Sequence, residues 1–204
     1  METELKLGLN QADLTRLLSH PLLSGGRTSQ RLLNTYFDTP ELALQRRRMA
    51  VRERLAGTQW LLTVKTAGHS HQGLSRRQEW EGPTQPGVLQ FDELVDDAAL
   101  ASDLMALRPR LQALFCTDFE RQRWVIAHAD AEVEVALDQG RIHVPGTALS
   151  EPLLELELEL LNGPESALMA LADALRQTPQ GPATLTPSDA SKAQRGMALR
   201  GRSR

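Results

Sequence analysis

Glutamate and leucine alternate through Glu155-Leu156-Glu157-Leu158-Glu159-Leu160. A period of two puts every carboxylate on one side of the backbone and every leucine on the other, as an extended strand does. The pattern recurs along the chain. Glu2, Glu4 and Lys6 share a parity opposite to Leu5 and Leu7, and Glu132, Glu134 and Asp138 one opposite to Val133, Val135 and Leu137. Arg52 and Arg54 lie two apart, Lys65 follows Leu62 and Val64, Arg77, Glu79 and Glu81 flank Gln78 and Trp80, and Arg121 and Arg123 precede Trp124. With the segment 33–38, the template counts about eight strands. Helical spacing fills the gaps: Leu14, Leu17 and Leu18 within 11–19, Leu100 through Leu114 within 94–115, and Leu168, Leu171 and Leu175 within 165–177. A last helix carrying Lys192 and Arg195 would be capped by Ser188 or Asp189. Short Gly/Pro turns between strands favour antiparallel pairing. The expected fold class is α+β with a mainly antiparallel sheet.

An ordinary solvated sheet face mixes its signs. Here they segregate by strand, and like charges in a row need a counter-charge or a ligand. Closing the sheet meets that need. The expectation is an eight-stranded antiparallel β-tunnel, a closed barrel with the charged face inside and the helices packed outside. Such a lumen is costly to leave dry, so it should hold water, metal ions and a polyanion. Arginine forks and lysines suit phosphate oxygens. Carboxylates suit Mg²⁺ or Mn²⁺. Together they equip a site for metal-assisted phosphoryl chemistry.

Composition narrows the alternatives. With 41% hydrophobic and 24% charged residues the chain is no disordered segment. A net charge of −3 and 4% aromatics argue against nucleic acid as a partner. No run approaches the roughly 20 apolar residues that cross a bilayer. The start Met1-Glu2-Thr3-Glu4 has neither a basic nor an apolar leader region, so a cytoplasmic protein without membrane contact is expected. One cysteine, Cys116, excludes an internal disulfide. It is expected to be packed, His69-Ser70-His71 to be a solvated turn, and Trp60, Trp80 and Trp124 to be packing residues.

The pattern also resembles a known family. Glu2-Thr3-Glu4-Leu5-Lys6 is similar to the ExExK signature of the CYTH superfamily, the triphosphate tunnel metalloenzymes. Tyr36-Phe37-Asp38-Thr39-Pro40, Val51-Arg52-Glu53-Arg54, Thr63-Val64-Lys65, Arg77-Gln78-Glu79, Arg121-Gln122-Arg123, Glu134-Val135-Ala136-Leu137-Asp138 and Glu155-Leu156-Glu157-Leu158-Glu159 follow in the family's order. Ser191-Lys192-Ala193-Gln194-Arg195-Gly196 resembles the C-terminal element of the bacterial inorganic triphosphatase branch. The resemblance implies a single domain over 1–204, without a helical CHAD domain, that binds a triphosphate compound and Mg²⁺ or Mn²⁺. It implies hydrolysis of inorganic triphosphate to diphosphate and phosphate by metal-activated water. Class IV adenylate cyclase, thiamine triphosphatase and a non-catalytic polyphosphate or nucleotide sensor are the competing functions. A homodimer face among the leucine-rich helices stays open.

Residue roles follow from the matched positions. Glu2, Glu4, Glu157 and Glu159 are expected metal ligands, with Glu155 on the same face lying deeper or pairing with an arginine. Phosphate contacts are expected from Lys6, Arg52, Arg54, Lys65, Arg77, Arg121, Arg123 and Lys192, and from Arg195 unless it bonds the rim. Lys6, Glu134, Asp138 and Lys192 form the expected catalytic group, Glu134 and Asp138 by holding a second metal or orienting water. Ala136 stands where some relatives place an acid, and Asp138 on the same face compensates for it. Glu79 and Glu81 are expected to hold arginines.

Overall fold

The computed structural model describes residues 1–202. In chain order the elements are β1 (Glu2–Gly8), α1 (Gln11–Leu18), β2 (Thr28–Asp38), α2 (Ala43–Arg46), β3 (Ala50–Ala56), β4 (Gln59–Lys65), β5 (His69–His71), β6 (Leu74–Arg77), β7 (Glu79–Pro83), α3 (Phe91–Leu94), α4 (Ala98–Leu107), β8 (Gln112–His128), β9 (Ala131–His143), β10 (Ser150–Asn162), α5 (Ser166–Arg176) and α6 (Lys192–Gly201). The strands form one strongly curled antiparallel sheet in the order β5-β6-β1-β10-β9-β8-β2-β3-β4-β7, with the two-residue strand Thr186–Pro187 added on β1.

The α+β class and the antiparallel pairing hold, but the barrel is not closed by hydrogen bonds. The segment read as one strand around Arg77–Glu81 divides between the two ends of the ladder: β6 pairs with β1, and β7 pairs with β4. Only Gln78 joins them, and its carbonyl accepts from the Thr66 N–H at 3.1 Å. A strand that changes partner mid-course cannot serve both neighbours along its whole length. Ten strands in the path therefore replace the expected eight, the remaining addition being the exposed β5 hairpin strand where a turn was expected at His69-Ser70-His71.

The leucine faces do what the alternation requires. Leu5, Leu7, Val133, Val135, Leu137, Leu156 and Leu158 pack under Leu14 and Leu17 of α1 and Leu168, Leu171 and Leu175 of α5. Each fully buried aliphatic side chain contributes about 1.5–3 kcal/mol. Val51, Leu62 and Val64 pack against Phe91, Val95 and Leu104, which covers the far side with α3 and α4. The helix expected over 94–115 stops at Leu107, because Pro109 follows and a strand starts at Gln112, so Leu114 packs from β8.

The expectation that every helix lies outside fails at α6. Its Leu199 clusters with Phe119, Leu32 and Leu153, and Phe119 shares a face with Arg121 two residues on. The helix thus sits against the concave side, over an apolar patch that ends the charged lining. Its cap is Ser191 rather than Ser188 or Asp189, with a capping box closed by Gln194.

Gly140 permits the tight curl of β8 over β9. A Cβ there would lie 2.2 Å from the Asp118 carbonyl oxygen and 2.5 Å from the Phe119 Cα. Those atoms are backbone and cannot step aside. Gly140→Ala should destabilise the fold by about 1–3 kcal/mol by overpacking. Urea denaturation would check it, and an unchanged midpoint would refute the account of the curl.

Candidate active site

The concave side encloses a cavity of about 620 Å³. Antiparallel register sets the order of charges on its wall. Glu4, Glu159 and Glu134 lie directly opposite one another across β1, β10 and β9. One step along, Lys6 faces Glu157, which faces Ala136, and Ala136 faces Arg123. The next step places Glu155 opposite Asp138 and Asp138 opposite Arg121. The alternation therefore aligns acids with acids on neighbouring strands.

Three groups result. The first is the acid row with Glu2 beside it. Arg77 donates from Nε to Glu2 at 2.8 Å and from its terminal nitrogen to Glu4 at 2.7 Å. Lys65 Nζ lies 3.0 Å from Glu2 and 2.6 Å from Glu79. Burial would raise the Glu2 carboxyl, but Lys65 and Arg77 outweigh it and hold Glu2 well below the usual range. Burial pushes Glu79 up despite the same lysine. No salt bridge reaches Glu159 among the described residues. Burial, with Glu2, Glu134 and Glu79 nearby, pushes its carboxyl up to about 7. Three carboxylates in a row with one of them unpaired is a donor set that fits a hard divalent cation.

The second group is a wall of guanidinium groups. Arg52 donates to Thr63 Oγ1 at 3.2 Å and to Glu81 at 3.4 Å. Arg54 donates to Asn34 Oδ1 at 2.8 Å and lies 3.6 Å from Glu81. Burial, together with Arg52 and Arg121 nearby, pulls Arg54 down to about 10, and Glu81 offsets only part of this. Arg54 is still charged at neutral pH. It is a buried cation short of counter-charge, and it faces the cavity. Glu81 thus holds arginines, as expected.

The third group lies at the inner end. Lys192 Nζ sits among Asp138 at 2.7 Å, Glu157 at 2.9 Å and Glu155. Burial alone would lower the lysine, but the three acids outweigh it and raise it above the ordinary value. Arg121 grips Asp138 with two bonds of 2.7 Å and reaches Glu157 at 2.5 Å. One oxygen each of Asp138, Glu155 and Glu157 lie within 4.8 Å of one another, which has the geometry for a cation. The lysine ammonium already fills that place. The row at Glu4, Glu159 and Glu134 is the second metal candidate: Arg77 and Lys6 meet Glu4 and Arg123 meets Glu134, but Glu159 has no salt bridge among the described residues.

The structure thus separates the expected metal set of Glu2, Glu4, Glu155, Glu157 and Glu159 into two places. Glu2, Glu4 and Glu159 stand together, while Glu155 and Glu157 serve Lys192. Arg195 lies apart from the cavity lining: its guanidinium bonds Glu151 at 2.9 Å, the Pro152 carbonyl at 2.7 Å and Glu155 at 3.4 Å. Arg123 stands half-exposed at the mouth, 3.5 Å from Glu134. Cys116 is half-buried within β8, opposite His143, away from the cavity.

Residues not singled out for roles also shape the site. Asn34 and Thr63 aim Arg54 and Arg52. Buried Tyr36 sits beside Arg52, which pulls its phenol below the ordinary value despite burial, and stacks on Phe115 with ring centroids 4.6 Å apart. The period of two puts Asn34 and Tyr36 on one face of β2, which was the available signal. Asp38 serves the backbone: its carboxylate accepts the Thr39, Leu44 and Gln45 N–H groups at 2.7, 2.8 and 2.9 Å, fixing the turn into α2.

Comparison with known proteins places these features in context. The model of the CYTH domain family matches residues 1–197. An inorganic triphosphatase of Haemophilus influenzae is 32% identical over 176 residues, covering 81% of this chain. The chain spans 45% of that relative's length. The structure of HpAC1 from Hippeastrum, described as revealing a dominant triphosphatase activity, superposes with a TM-score of 0.72 at 20% identity, over 97% of this chain and 96% of that one. The PH1819 protein of Pyrococcus horikoshii gives 0.61 at 17% identity, over 97% and 99%. At these identities the two structures speak for the fold alone. No helix among the described residues is long and apolar enough to cross a membrane.

Proposed function

The chain belongs to the CYTH family, and on that premise we propose that it hydrolyses inorganic triphosphate to diphosphate and phosphate. The observation that carries this reading is the juxtaposition of the acid row Glu4, Glu159 and Glu134, in which Glu159 has no salt bridge among the described residues, with the under-compensated guanidinium wall around Arg54. A linear polyphosphate supplies the anion that the wall lacks. Its divalent counter-ion, Mg²⁺ or Mn²⁺, supplies the cation that the row lacks.

Arg52, Arg54, Lys65, Arg77 and Arg121 hold the phosphate oxygens, with Lys6, Arg123 and Lys192 at the margins. Several of these cations are paired with glutamates in the ligand-free chain, so substrate takes over their bonds and releases Glu2 and Glu4. Those two carboxylates and Glu159 would hold the metal, which when bound neutralises charge on non-bridging oxygens and acidifies a water. Among the described residues the one salt bridge of Glu134 is its 3.5 Å contact with Arg123, which leaves a carboxylate oxygen to accept the proton of the attacking water. Asp138, saturated by Arg121 and Lys192, orients those two cations. The water oxygen attacks the terminal phosphorus in line, that P–O bridge breaks, and diphosphate leaves.

The ring inventory supports an inorganic substrate. Tyr36, Phe37 and Phe115 are the aromatic residues that line the cavity among the described residues, and Tyr36 and Phe115 are buried against each other. Tyr36 and Phe115 thus offer no open face to a nucleobase, and Phe37 packs against the cluster of Val51, Leu62 and Phe91.

The test is phosphate release from tripolyphosphate, ATP and thiamine triphosphate with Mg²⁺, with Mn²⁺ and with chelator. Metal-dependent release from tripolyphosphate is expected, falling by about 100-fold or more in Glu4→Gln. No release from any substrate would overturn the reading. Cyclic AMP from ATP would establish the cyclase instead, and tight metal-independent binding without turnover the sensor.

A further inference from the structure

Gly196 lies one helical turn beyond Lys192, on the same side of α6. Its backbone is ordinary, without a positive φ. Glycine inside a helix is disfavoured relative to alanine, so the backbone gives no reason for it. The contact does. A Cβ at this position would lie 2.0 Å from Phe115 Cε2 and 2.2 Å from Cδ2. The ring cannot yield easily, since Phe115 is 1% exposed and stacks on Tyr36 with an interplanar angle of 14°. Tyr36 in turn is 5% exposed and sits beside Arg52. The helix backbone therefore rests directly on the ring.

That seating fixes a depth. The ammonium at the end of the Lys192 side chain reaches Asp138, Glu155 and Glu157 only from a helix this close to the sheet. We propose that Gly196 is a positioning residue for Lys192: the missing side chain lets α6 bottom on Phe115 and carries the lysine into the acid cluster. A side chain at 196 lifts the helix and withdraws the ammonium. The kinetic part of this inference rests on the triphosphatase reading, and the positional part does not.

The chain has three lysines, Lys6, Lys65 and Lys192, which makes amine labelling a direct readout. Pulse acylation of the folded protein, followed by peptide mass mapping, reports each of them separately. In Gly196→Ala the labelling of Lys192 should rise several-fold while Lys6 and Lys65 stay at wild-type levels. Phe115→Leu combined with Gly196→Ala should restore protection, because the smaller side chain makes room for the methyl group. Turnover of tripolyphosphate should fall on the order of 10- to 100-fold in Gly196→Ala. In a Lys192→Met background the same substitution should change turnover by no more than about twofold, as expected of a residue acting through the lysine.

Unchanged Lys192 labelling in Gly196→Ala would overturn the proposal. So would a joint rise at all three lysines, which reports general loosening, or a full further loss of turnover in the Lys192→Met background. If wild-type protein releases no phosphate while the labelling pattern appears as expected, the positioning role stands and the triphosphatase reading falls.

Discussion

Lys192→Met should destabilise the protein by about 3–5 kcal/mol at pH 8 and lower turnover by two orders of magnitude or more, because removing one partner leaves buried like charges uncompensated. Three carboxylates, Asp138, Glu155 and Glu157, meet on that one ammonium. Asp138 is fully buried and Glu155 is 3% exposed. Arg121 serves Asp138 and Glu157 but does not reach Glu155. The pH dependence has a definite sign. In the wild type the lysine is raised above its unfolded value, so its contribution is present throughout the neutral range and is lost only at strongly alkaline pH. In the variant Glu155, already pushed up by burial, and Glu157 lose the ammonium that lowers them, so both rise. A raised carboxyl binds more protons folded than unfolded, so the variant should recover stability on acidification toward pH 5 and lose it as pH rises. Urea melts at pH 5 and pH 8 would decide it. Equal stability of the variant at both would mean that the acids do not depend on the lysine.

Glu159→Gln should separate stability from function. The wild-type carboxyl titrates near 7 in the folded chain against 4.5 when unfolded. Between those values the folded state holds the extra proton, so metal-free stability falls as pH rises through that window. Each unit corresponds to about 1.4 kcal/mol. Glu159 is only half-buried, and solvent screening reduces the total to about 1–2 kcal/mol. Glutamine removes the slope, so the metal-free variant should be more stable than wild type at pH 8. The same change should abolish most of the rise in melting temperature that Mn²⁺ gives and cut hydrolysis about 100-fold. A variant that keeps full metal stabilisation would place the cation elsewhere, with the Lys192 cluster the next candidate.

The sheet was legible because its charges are strictly periodic. Parity alone sorted Glu155, Glu157 and Glu159 from Leu156 and Leu158, and the structure keeps that sorting without exception. Parity does not encode register. Nothing within a single strand says that Glu4 faces Glu159 whereas Lys6 faces Glu157, and that one-step difference separates the acid row around unpaired Glu159 from a lysine-filled cluster. Closure was misread for a related reason. Arg77, Glu79 and Glu81 keep perfect alternation, yet the segment changes neighbours at Gln78, a long-range choice that leaves no local mark. The inward seat of α6 was hidden because its apolar residues pack on Phe119 and Leu32, which lie on the face the alternation had marked as charged. Asp38 shows the converse. It stands in a motif segment, but its burial serves a turn.

The pairing of β1 with β10 has a consequence for how the protein is made. On one edge β1 pairs with β6 at Leu74–Arg77, but its neighbour on the other edge, β10, comes only at residues 150–162. At about 5–20 residues per second, the ribosome delivers that partner on the order of ten seconds or more after the first strand has emerged. Until then Glu4 has no Glu159 beside it, and the acid row is incomplete. The acid row is thus among the last parts of the molecule to be completed during synthesis, and a chain interrupted before residue 150 contains most of the guanidinium wall but lacks Glu159.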